Sequence, residues 1–276
     1  VSGNENVGGL IGNNYETVNT SEASGDVTGH QNVSGLVGWN TGTITHTHAS
    51  GNVTASNSSG ESINAGGLAG YNDHNVTNSS FTGSVSGETD VGGLVGYHTG
   101  NLSDVYVTAA VSGDTNVDPV VGNTAGSGTV TDGYWNTEVT SHASASHGTA
   151  LTTAEMTGMN ATRTMGGLSF YDPWVPTKGD YPELTWQADT DGTTASAFDR
   201  YFVGNGSESA PYQVETAPGL QSMNDSLTAN YTLGNNIDAA ETESWNGGDG
   251  FAPVGDTSAS TPFTGSFEGQ GHTISN

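Results

Sequence analysis

Two histidines, His46 and His48, are spaced for metal binding, because residues i and i+2 of a strand point to the same side. A site would need further ligands, and the equivalent positions of a repeat described below carry Thr20, Asn78 and Asp104. We therefore expect both imidazoles to be solvated strand residues. The sequence predicts no metal-binding residues and no resident cofactor.

Acidic residues are numerous enough to supply an acid/base pair at many places. Such a pair must converge in one cleft, and the repeat places no acidic residues at the same position of adjacent units. We therefore predict no catalytic residues and no enzyme activity. Asp189-Thr-Asp191 and Asn236-Ile-Asp238 are candidates for binding Ca²⁺, although neither has the spacing of a recognised calcium loop.

Three aromatic residues recur at one position of the repeat, and a polar residue follows each of them. They are Trp39, Tyr71 and Tyr97. If exposed, such rings would suit stacking on sugars, whereas rings that line a corner of the fold would pack beside a ladder of asparagines. The packing interpretation is favoured, and glycan stacking is the alternative.

Eleven Asn-x-Ser/Thr sequons mark possible N-glycan acceptors on a secreted protein. They are Asn19, Asn32, Asn52, Asn57, Asn75, Asn78, Asn101, Asn160, Asn205, Asn224 and Asn230. A chain rich in Ser, Thr and Asn contains several such triplets by chance, so the fold must decide which of them are accessible.

The charge of the chain excludes several classes of partner. Its 276 residues include three basic residues against 29 Asp and Glu, which gives a formal net charge of −26. Nucleic acids and anionic membrane surfaces repel such a chain. The sequence contains no run of about 18 apolar residues that could span a bilayer. The absence of cysteine excludes disulfides. Abundant acid with a single lysine indicates a high-salt habitat, where ions screen self-repulsion.

A short glycine-rich motif divides the first half of the chain into repeats. Gly-Gly-Leu-Ile-Gly at residues 8–12 returns as Ser-Gly-Leu-Val-Gly at residues 34–38, and three further copies follow, the last of them degenerate. The central residues are Leu10, Leu36, Leu68, Leu94 and Val120, spaced by 26, 32, 26 and 26 residues. The longer spacing has a local cause, since the extra residues fall in one loop around Ser56 to Glu61.

Four further apolar positions keep step with the central residue, the last three after a two-residue slip in the fifth copy. These columns are Val7, Val33, Ala65, Val91 and Val117; Val18, Ile44, Val76, Leu102 and Val130; Ala23, Ala49, Phe81, Val107 and Trp135; and Val27, Val53, Val85, Val111 and Val139. Stacked units bury such columns against one another. The pattern predicts an all-β fold, a β-solenoid (β-helix) of coils of about 26 residues with three β-segments each, in which glycines supply positive φ at corners.

These Gly-Gly-Leu-Val-Gly repeats resemble the GLUG-motif repeats of large bacterial and archaeal surface proteins, which are thought to form β-helices like those of filamentous adhesins. The resemblance covers residues 1 to about 142 through the repeats, and Tyr134-Trp-Asn136 with Leu184-Thr-Trp186 looks like the end of such an array. It implies an architecture and says little about activity. Asp118-Pro119 departs from the motif, which predicts a coil that leaves the regular stack.

The rest of the chain divides into three parts. Residues 143–187 are predicted to be an irregular capping segment with a short helix at Thr153–Met156, capped by Thr152 or Thr153. Its aromatic cluster is expected to cover the last coil or, alternatively, to offer a sugar-stacking surface. Residues 188–200 are predicted to be a linker. Residues 201–276 resemble the opening segment that precedes repeats in the same family, so they would begin a second solenoid module or complete a neighbouring subunit.

The two ends of the chain suggest how copies are arranged. Val1-Ser-Gly3 matches Val27-Thr-Gly29, and His272 to Asn276 followed by Val1 reads as an uninterrupted segment of the family. One period of a tandem array, or subunits stacked head to tail, would both give an open fibre. An arbitrary cut in a longer chain is the alternative.

We therefore expect a non-catalytic structural or adhesive module of an extracellular fibre, filament or large cell-surface protein of a halophile. Its partners would be copies of itself or tandem repeats, with surface glycans as a further possibility. The alternatives are a glycan-binding module and a polysaccharide-active β-helix enzyme. The enzyme rests on analogy of fold alone, and lyases generally need a basic residue, which the coils lack.

Overall fold

The computed structural model describes residues 1–56, 63–140, 142, 144–170, 172–177, 179–188, 201–245, 250–255 and 262–276. They form two compact units. Unit 1 comprises Val1–Met156 and Thr164–Ser169, and unit 2 comprises Thr157–Arg163 and Phe170–Asn276. Most of the predicted insertion loop and of the predicted linker lies outside the described residues.

Unit 1 is a β-solenoid, as predicted, because each pass of the chain adds strands to the same parallel sheets. Sheet 1 contains Glu5–Gly8, Gln31–Ser34, Ala65–Gly66, Thr89–Gly92 and Thr115–Asp118. Sheet 2 contains Ile11–Asn14, Val37–Asn40, Ala69–Asn72, Val95–His98 and Val121–Thr124. Sheet 3 contains Thr17–Ala23, Thr43–Ala49, Asn75–Phe81, Asn101–Val107, Thr129–Asn136 and Thr149–Leu151. Sheet 4 contains Val27–Gly29, Asn52–Ala55, Ser84–Ser86 and Ala110–Ser112.

The register of these sheets confirms the apolar columns. Leu102 pairs with Val130, so the two-residue slip in the fifth copy is real. Val53 pairs with Val85 across the insertion, so the extra residues leave the register intact. Of the central residues, those fully buried are Leu36, Leu68, Leu94 and Val120. The columns therefore form one continuous core along unit 1.

Two details of the coil differ from the prediction. A complete coil carries four strands rather than three segments, because a two-residue bend containing the central Leu separates sheet 1 from sheet 2. The deviation from the repeat motif at Asp118-Pro119 predicts that the chain leaves the stack there, but parallel pairing continues beyond it. The Asp118 side chain accepts hydrogen bonds from the N–H groups of Val120 and Val121 and so holds the bend in place. Regular pairing ends after Asn136, and the predicted column residue Val139 lies in a turn.

Most positive φ angles of unit 1 lie on polar residues rather than on the glycines that the sequence suggests, and Gly126 and Gly148 are the exceptions. The polar residues lie within strands: Asn6, Asn32, Asp90 and Asn116 in sheet 1, and Thr20, His46, Asn78, Asp104 and Asp132 in sheet 3. Asn and Asp adopt this conformation more readily than most residues. The glycines serve close approach instead: a Cβ added to Gly92 would lie 1.9 Å from the carbonyl oxygen of Val95.

A sixth rung and a short helix follow the last full coil. Thr149–Leu151 pairs in parallel with Thr129–Asn136, so this part of the predicted irregular segment continues sheet 3. The predicted helix is present at Thr153–Met156. Thr152 caps it, since its N–H and Oγ1 both donate to Glu155 Oε2 at 2.8 Å and the N–H of Glu155 donates back to Oγ1. These hydrogen bonds lower the pKa of the Glu155 carboxyl.

Unit 2 also contains parallel rungs. Tyr212–Val214, Tyr231–Leu233 and Phe267–Glu268 form one parallel sheet, and Ile237–Asp238 pairs in parallel with Ile274–Ser275. Trp174–Thr177 and Asp180–Leu184 form an antiparallel hairpin. The other helices are Gly158–Thr164, Thr185–Ala188 and Ala217–Ser222, with 3₁₀ turns at Met223–Asp225 and Ala240–Ser244. The rings of Phe202, Tyr212, Tyr231 and Phe263 pack in its core.

Candidate functional site

The three aromatic residues form one stacked column on sheet 2. Trp39 pairs in register with Tyr71, and Tyr71 with Tyr97. The ring centroids of the first pair are 4.1 Å apart and those of the second 5.4 Å, with nearly parallel planes in both. The rings therefore cover one another's faces. Asn13 and Asn123 occupy the register positions beyond the two ends of the column.

A ladder of amides lies one residue further along each strand. Asn14, Asn40 and Asn72 are buried, and the Nδ2 of each of the first two donates to the Oδ1 of the next at 2.7 Å. Each Nδ2 also donates to a carbonyl two residues ahead, as Asn40 does to Gly42. In the fourth coil His98 takes the place of asparagine, 3.2 Å from Asn72 Nδ2. The asparagine ladder expected from corner packing is thus present.

His46 and His48 are not brought to one site. The positive φ of His46 interrupts the alternation of its strand, and the two rings contact opposite neighbouring coils. His46 Nδ1 lies 3.2 Å from Asn19 Oδ1, whereas His48 Nδ1 lies 2.9 Å from Ser80 Oγ. Burial lowers the pKa of His48 to about 4. Within the described residues no group of three His, Asp or Glu side chains is arranged to hold a metal ion.

Two pairs of acidic residues do occupy equivalent positions of adjacent coils, contrary to the prediction: Glu88 with Asp114, and Asp104 with Asp132. Asp104 and Asp132 lie at the same position of sheet 3, as the pairing of Ser103 with Thr131 and of Val105 with Gly133 shows. The two-residue slip hides this match in the sequence. Burial raises the pKa of the Asp104 carboxyl, and the charge of Asp132 adds to the rise.

Of the two calcium candidates, Asn236 and Asp238 are described, whereas residues 189–191 lie outside the described residues. Asn236 Oδ1 accepts the N–H of Thr273, and Asp238 Oδ1 accepts the N–H of Ala240. These oxygens hold the local backbone. Calcium binding at this segment stays a prediction.

Unit 2 contains a cavity of about 220 Å³ that no motif of the sequence predicts. Arg163 lines it and forms an ion pair with Glu215 at 2.5 Å. Asp238 and Glu241 also line the cavity, and burial raises the pKa of the Glu241 carboxyl. No motif links Arg163 to Glu215, because 52 residues separate them. The scarcity of basic residues is the one sequence signal that would have drawn attention to this arginine.

The predicted glycan acceptors differ widely in exposure. The exposed asparagines are Asn19, Asn52, Asn101, Asn160 and Asn205, and the half-buried ones are Asn75, Asn78, Asn224 and Asn230. Asn32 is 3% exposed. Asn57 lies outside the described residues.

Exposed large apolar side chains gather on two open rungs. The first coil of unit 1 (coil 1, with strands Glu5–Gly8, Ile11–Asn14 and Thr17–Ala23) carries Val1, Leu10 and Tyr15. The last rung of unit 2 (strands Phe267–Glu268 and Ile274–Ser275) carries Phe267 and Ile274. Leu10 is 46% exposed, whereas Leu36, its equivalent one coil further, is fully buried. Val203 is the sixth such side chain among the described residues and lies on neither rung. The strands of both rungs are edge strands of their sheets.

Comparison with known proteins places the repeats in a family. The GLUG motif matches residues 61–86 and 87–112, which are the third and fourth coils. The chain therefore contains two GLUG repeats. Across 100 residues it is 42% identical to halomucin of Haloquadratum walsbyi (strain DSM 16790 / HBSQ001). That segment is 34% of this chain and 1% of halomucin.

No solved structure matches the chain significantly. Among the helices that the structure describes, none combines the length and hydropathy needed to cross a bilayer. The matched motifs and the likeness to halomucin confirm the resemblance to GLUG-motif repeat proteins of halophiles that the repeats and the acidic composition predict.

Proposed function

We propose that this GLUG-repeat chain is a non-catalytic structural and adhesive module of an extracellular fibre, filament or large cell-surface protein. Its copies, or tandem modules of one chain, stack head to tail through the ends of their solenoids. The observation that carries the proposal is the concentration of exposed apolar side chains on the two open rungs.

Edge strands present unpaired backbone N–H and C=O groups that pair readily with another strand. Coil 1 offers such an edge in sheets 1, 2 and 3, and the last rung of unit 2 offers one at Phe267–Glu268 and Ile274–Ser275. Natural proteins usually protect such edges with charge or bulges. Exposed apolar residues such as Leu10 and Ile274 accompany them. A further rung, of the same chain or of another copy, would cover these side chains.

The strands of coil 1 are the first in the chain order of their sheets, whereas Phe267–Glu268 is the last in the order of its sheet. The open side of coil 1 faces away from the coils that follow it, whereas the open side of the last rung faces away from the rungs that precede it. Joining one to the other continues the same order of parallel strands. Such a contact is heterologous and does not close, so it generates a linear array rather than a dimer.

Charge sets the conditions for this assembly. A net charge of −26 makes copies repel one another at low ionic strength. In about 1 M salt the Debye length falls to roughly 3 Å, so apolar contacts at the rungs outweigh the repulsion. Stacking is therefore expected in molar salt and reversed by dilution.

The experiment compares Leu10→Asp and Ile274→Asp with the parent chain in molar salt, by analytical ultracentrifugation and electron microscopy. Each substitution places a carboxylate on one open rung and is expected to block polymers. Val203→Asp is the matched control, since Val203 is exposed but lies on neither rung, and it is expected to leave assembly unchanged.

Mixing the two blocked variants distinguishes head-to-tail stacking from other contacts. Each variant keeps one intact rung, and these intact rungs are complementary, so an equimolar mixture is expected to give discrete dimers. A parent chain that stays monomeric in molar salt, or an Ile274→Asp variant that still polymerises, would contradict the proposal.

A further inference from the structure

We infer that Asn205 is an acceptor site for an N-linked glycan on the folded protein and that Asn32, although it lies in a sequon, is not. The inference rests on the extracellular location in the proposed function. The donor would be an oligosaccharide linked to a lipid phosphate. Nothing in the sequence separates these two asparagines, and the structure does so by exposure and by which amide atoms are in use.

Asn205 lies in an exposed loop between two glycines with positive φ, Gly204 and Gly206. Its Oδ1 accepts the N–H of Ser207, the hydroxyl residue of its sequon, at 3.1 Å. Among the hydrogen bonds of the described residues, none uses Asn205 Nδ2. The atom that would carry a sugar is therefore available, and the hydrogen bond that orients the amide does not involve it.

Asn32 uses both amide atoms inside the fold. Its Nδ2 donates to Asn6 Oδ1 and its Oδ1 accepts from Asn64 Nδ2, each at 2.7 Å. The side chain is 3% exposed and the residue has a positive φ within its strand. A glycan on this nitrogen would break the link between three coils and has no room, so chains modified there would not close the solenoid.

The remaining sequons show why exposure alone is not sufficient. Asn52 and Asn101 are exposed, but their Nδ2 atoms donate to Asp26 and Asn75 in the preceding coil. Asn230 Nδ2 donates to the carbonyl of Gly206. At these positions a glycan would compete with a contact between rungs, whereas at Asn205 it would not.

The chemistry balances without any group from this chain other than the amide. Nδ2 forms a bond to the anomeric carbon of the donor while the bond from that carbon to the phosphate oxygen breaks. The amide proton passes to a base of the transferring enzyme, and the lipid phosphate is the leaving group. The sequon hydroxyl of Ser207 serves recognition by that enzyme.

The test is to express the full chain, fused to a secretion signal, in a haloarchaeal host that glycosylates its own surface protein. Glycopeptide mass spectrometry of the folded, secreted product then gives the occupancy of each sequon. We expect glycan on Asn205 in most molecules and none on Asn32. A glycan on Asn32, or an unmodified Asn205 beside a glycosylated host protein, would overturn the inference.

Paired variants make the assignment specific. Ser207→Ala removes the Asn205 sequon and is expected to lower the mass by one glycan, whereas Ser209→Ala in the same loop keeps the sequon and the glycan. Stacking is measured on unglycosylated protein from a bacterial host, so a failure of glycosylation and a failure of assembly are told apart.

Discussion

The indole ring of Trp39 lies nearly parallel to the phenol ring of Tyr71, with centroids 4.1 Å apart and 17° between the planes. Tyr71 is stacked on Tyr97 in the same way on its other side. The middle ring thus has both faces covered by aromatic neighbours. The column therefore serves packing between coils, and a sugar that stacks on ring faces would find the outer faces of Trp39 and Tyr97.

Tyr71→Ala is expected to destabilise unit 1 by about 2–3 kcal/mol, because it removes two stacked pairs worth roughly 1 kcal/mol each together with apolar burial. Urea unfolding at constant salt measures the change. Tyr15→Ala serves as the control, since Tyr15 is exposed on coil 1. Equal stability of the two variants would show that stacking along the column contributes nothing.

Asn40→Ala is expected to cost about 2–4 kcal/mol. The substitution leaves Asn14 Nδ2, Asn72 Oδ1 and the Gly42 carbonyl without their partner in a buried ladder, and unsatisfied buried groups are penalised by about 1–3 kcal/mol each. Thermal unfolding followed by circular dichroism gives the loss. Asn13→Ala, on the exposed neighbour of Asn14, should change stability little, and a large effect there would contradict this account.

Gly92→Ala tests the close approach of neighbouring coils. Its Cβ would lie 1.9 Å from Val95 O and 2.6 Å from Gly122 N, so the backbone must move at a cost of about 3 kcal/mol or more. Gly25→Ala is the matched change, because its Cβ would meet no atom within 4 Å. Equilibrium unfolding of both variants checks the difference, and a Gly92→Ala protein as stable as the parent would rule out the clash.

The stability of unit 1 is expected to fall on acidification between pH 6.5 and about 4. Burial lowers the pKa of His48 from 6.5 to about 4 and lowers the pKa of His98. In this window the unfolded chain binds protons that the folded chain does not, so unfolding is favoured as the pH drops. For His48 the loss reaches about 3 kcal/mol.

The pH dependence is assigned by comparing variants. His48→Gln retains a polar partner for Ser80 Oγ but does not titrate, so it should flatten the stability profile, measured by urea unfolding from pH 4 to 8. His30→Gln, at an exposed position, should follow the parent profile. If His48→Gln shows the parent slope, the acid sensitivity lies elsewhere.

The apolar columns were predictable because each rung repeats the same residue types every 26 residues, and a solenoid turns that period directly into contacts. The pairing of Ile44 with Val18 and with Val76 follows from counting residues from the central Leu of each repeat. The slip in the fifth copy preserved Leu102 over Val130 but concealed Asp132 beside Asp104. A fixed period finds a column only where the register does not shift.

Backbone conformation was less accessible from the sequence. The left-handed residue is Asp90 and not the nearby Gly92. Glycine is required at position 92 because Val95 O of the same coil and Gly122 N of the next coil lie too close for a Cβ. The contact of Arg163 with Glu215 lies outside the repeats, where no period relates one residue to another. Packing between rungs decides the first case and tertiary folding the second.

Asn14, Asn40 and Asn72 present the same amide at the same place. Because of this, the contact between the first and second coils is chemically equivalent to the contact between the second and third. Loss or duplication of one whole period in the gene would bring two coils with the same contact residues together, and the solenoid would shorten or lengthen by about 4.8 Å. Length in such a protein is thus a quantity that recombination can adjust in whole steps without redesigning either terminus of the stack.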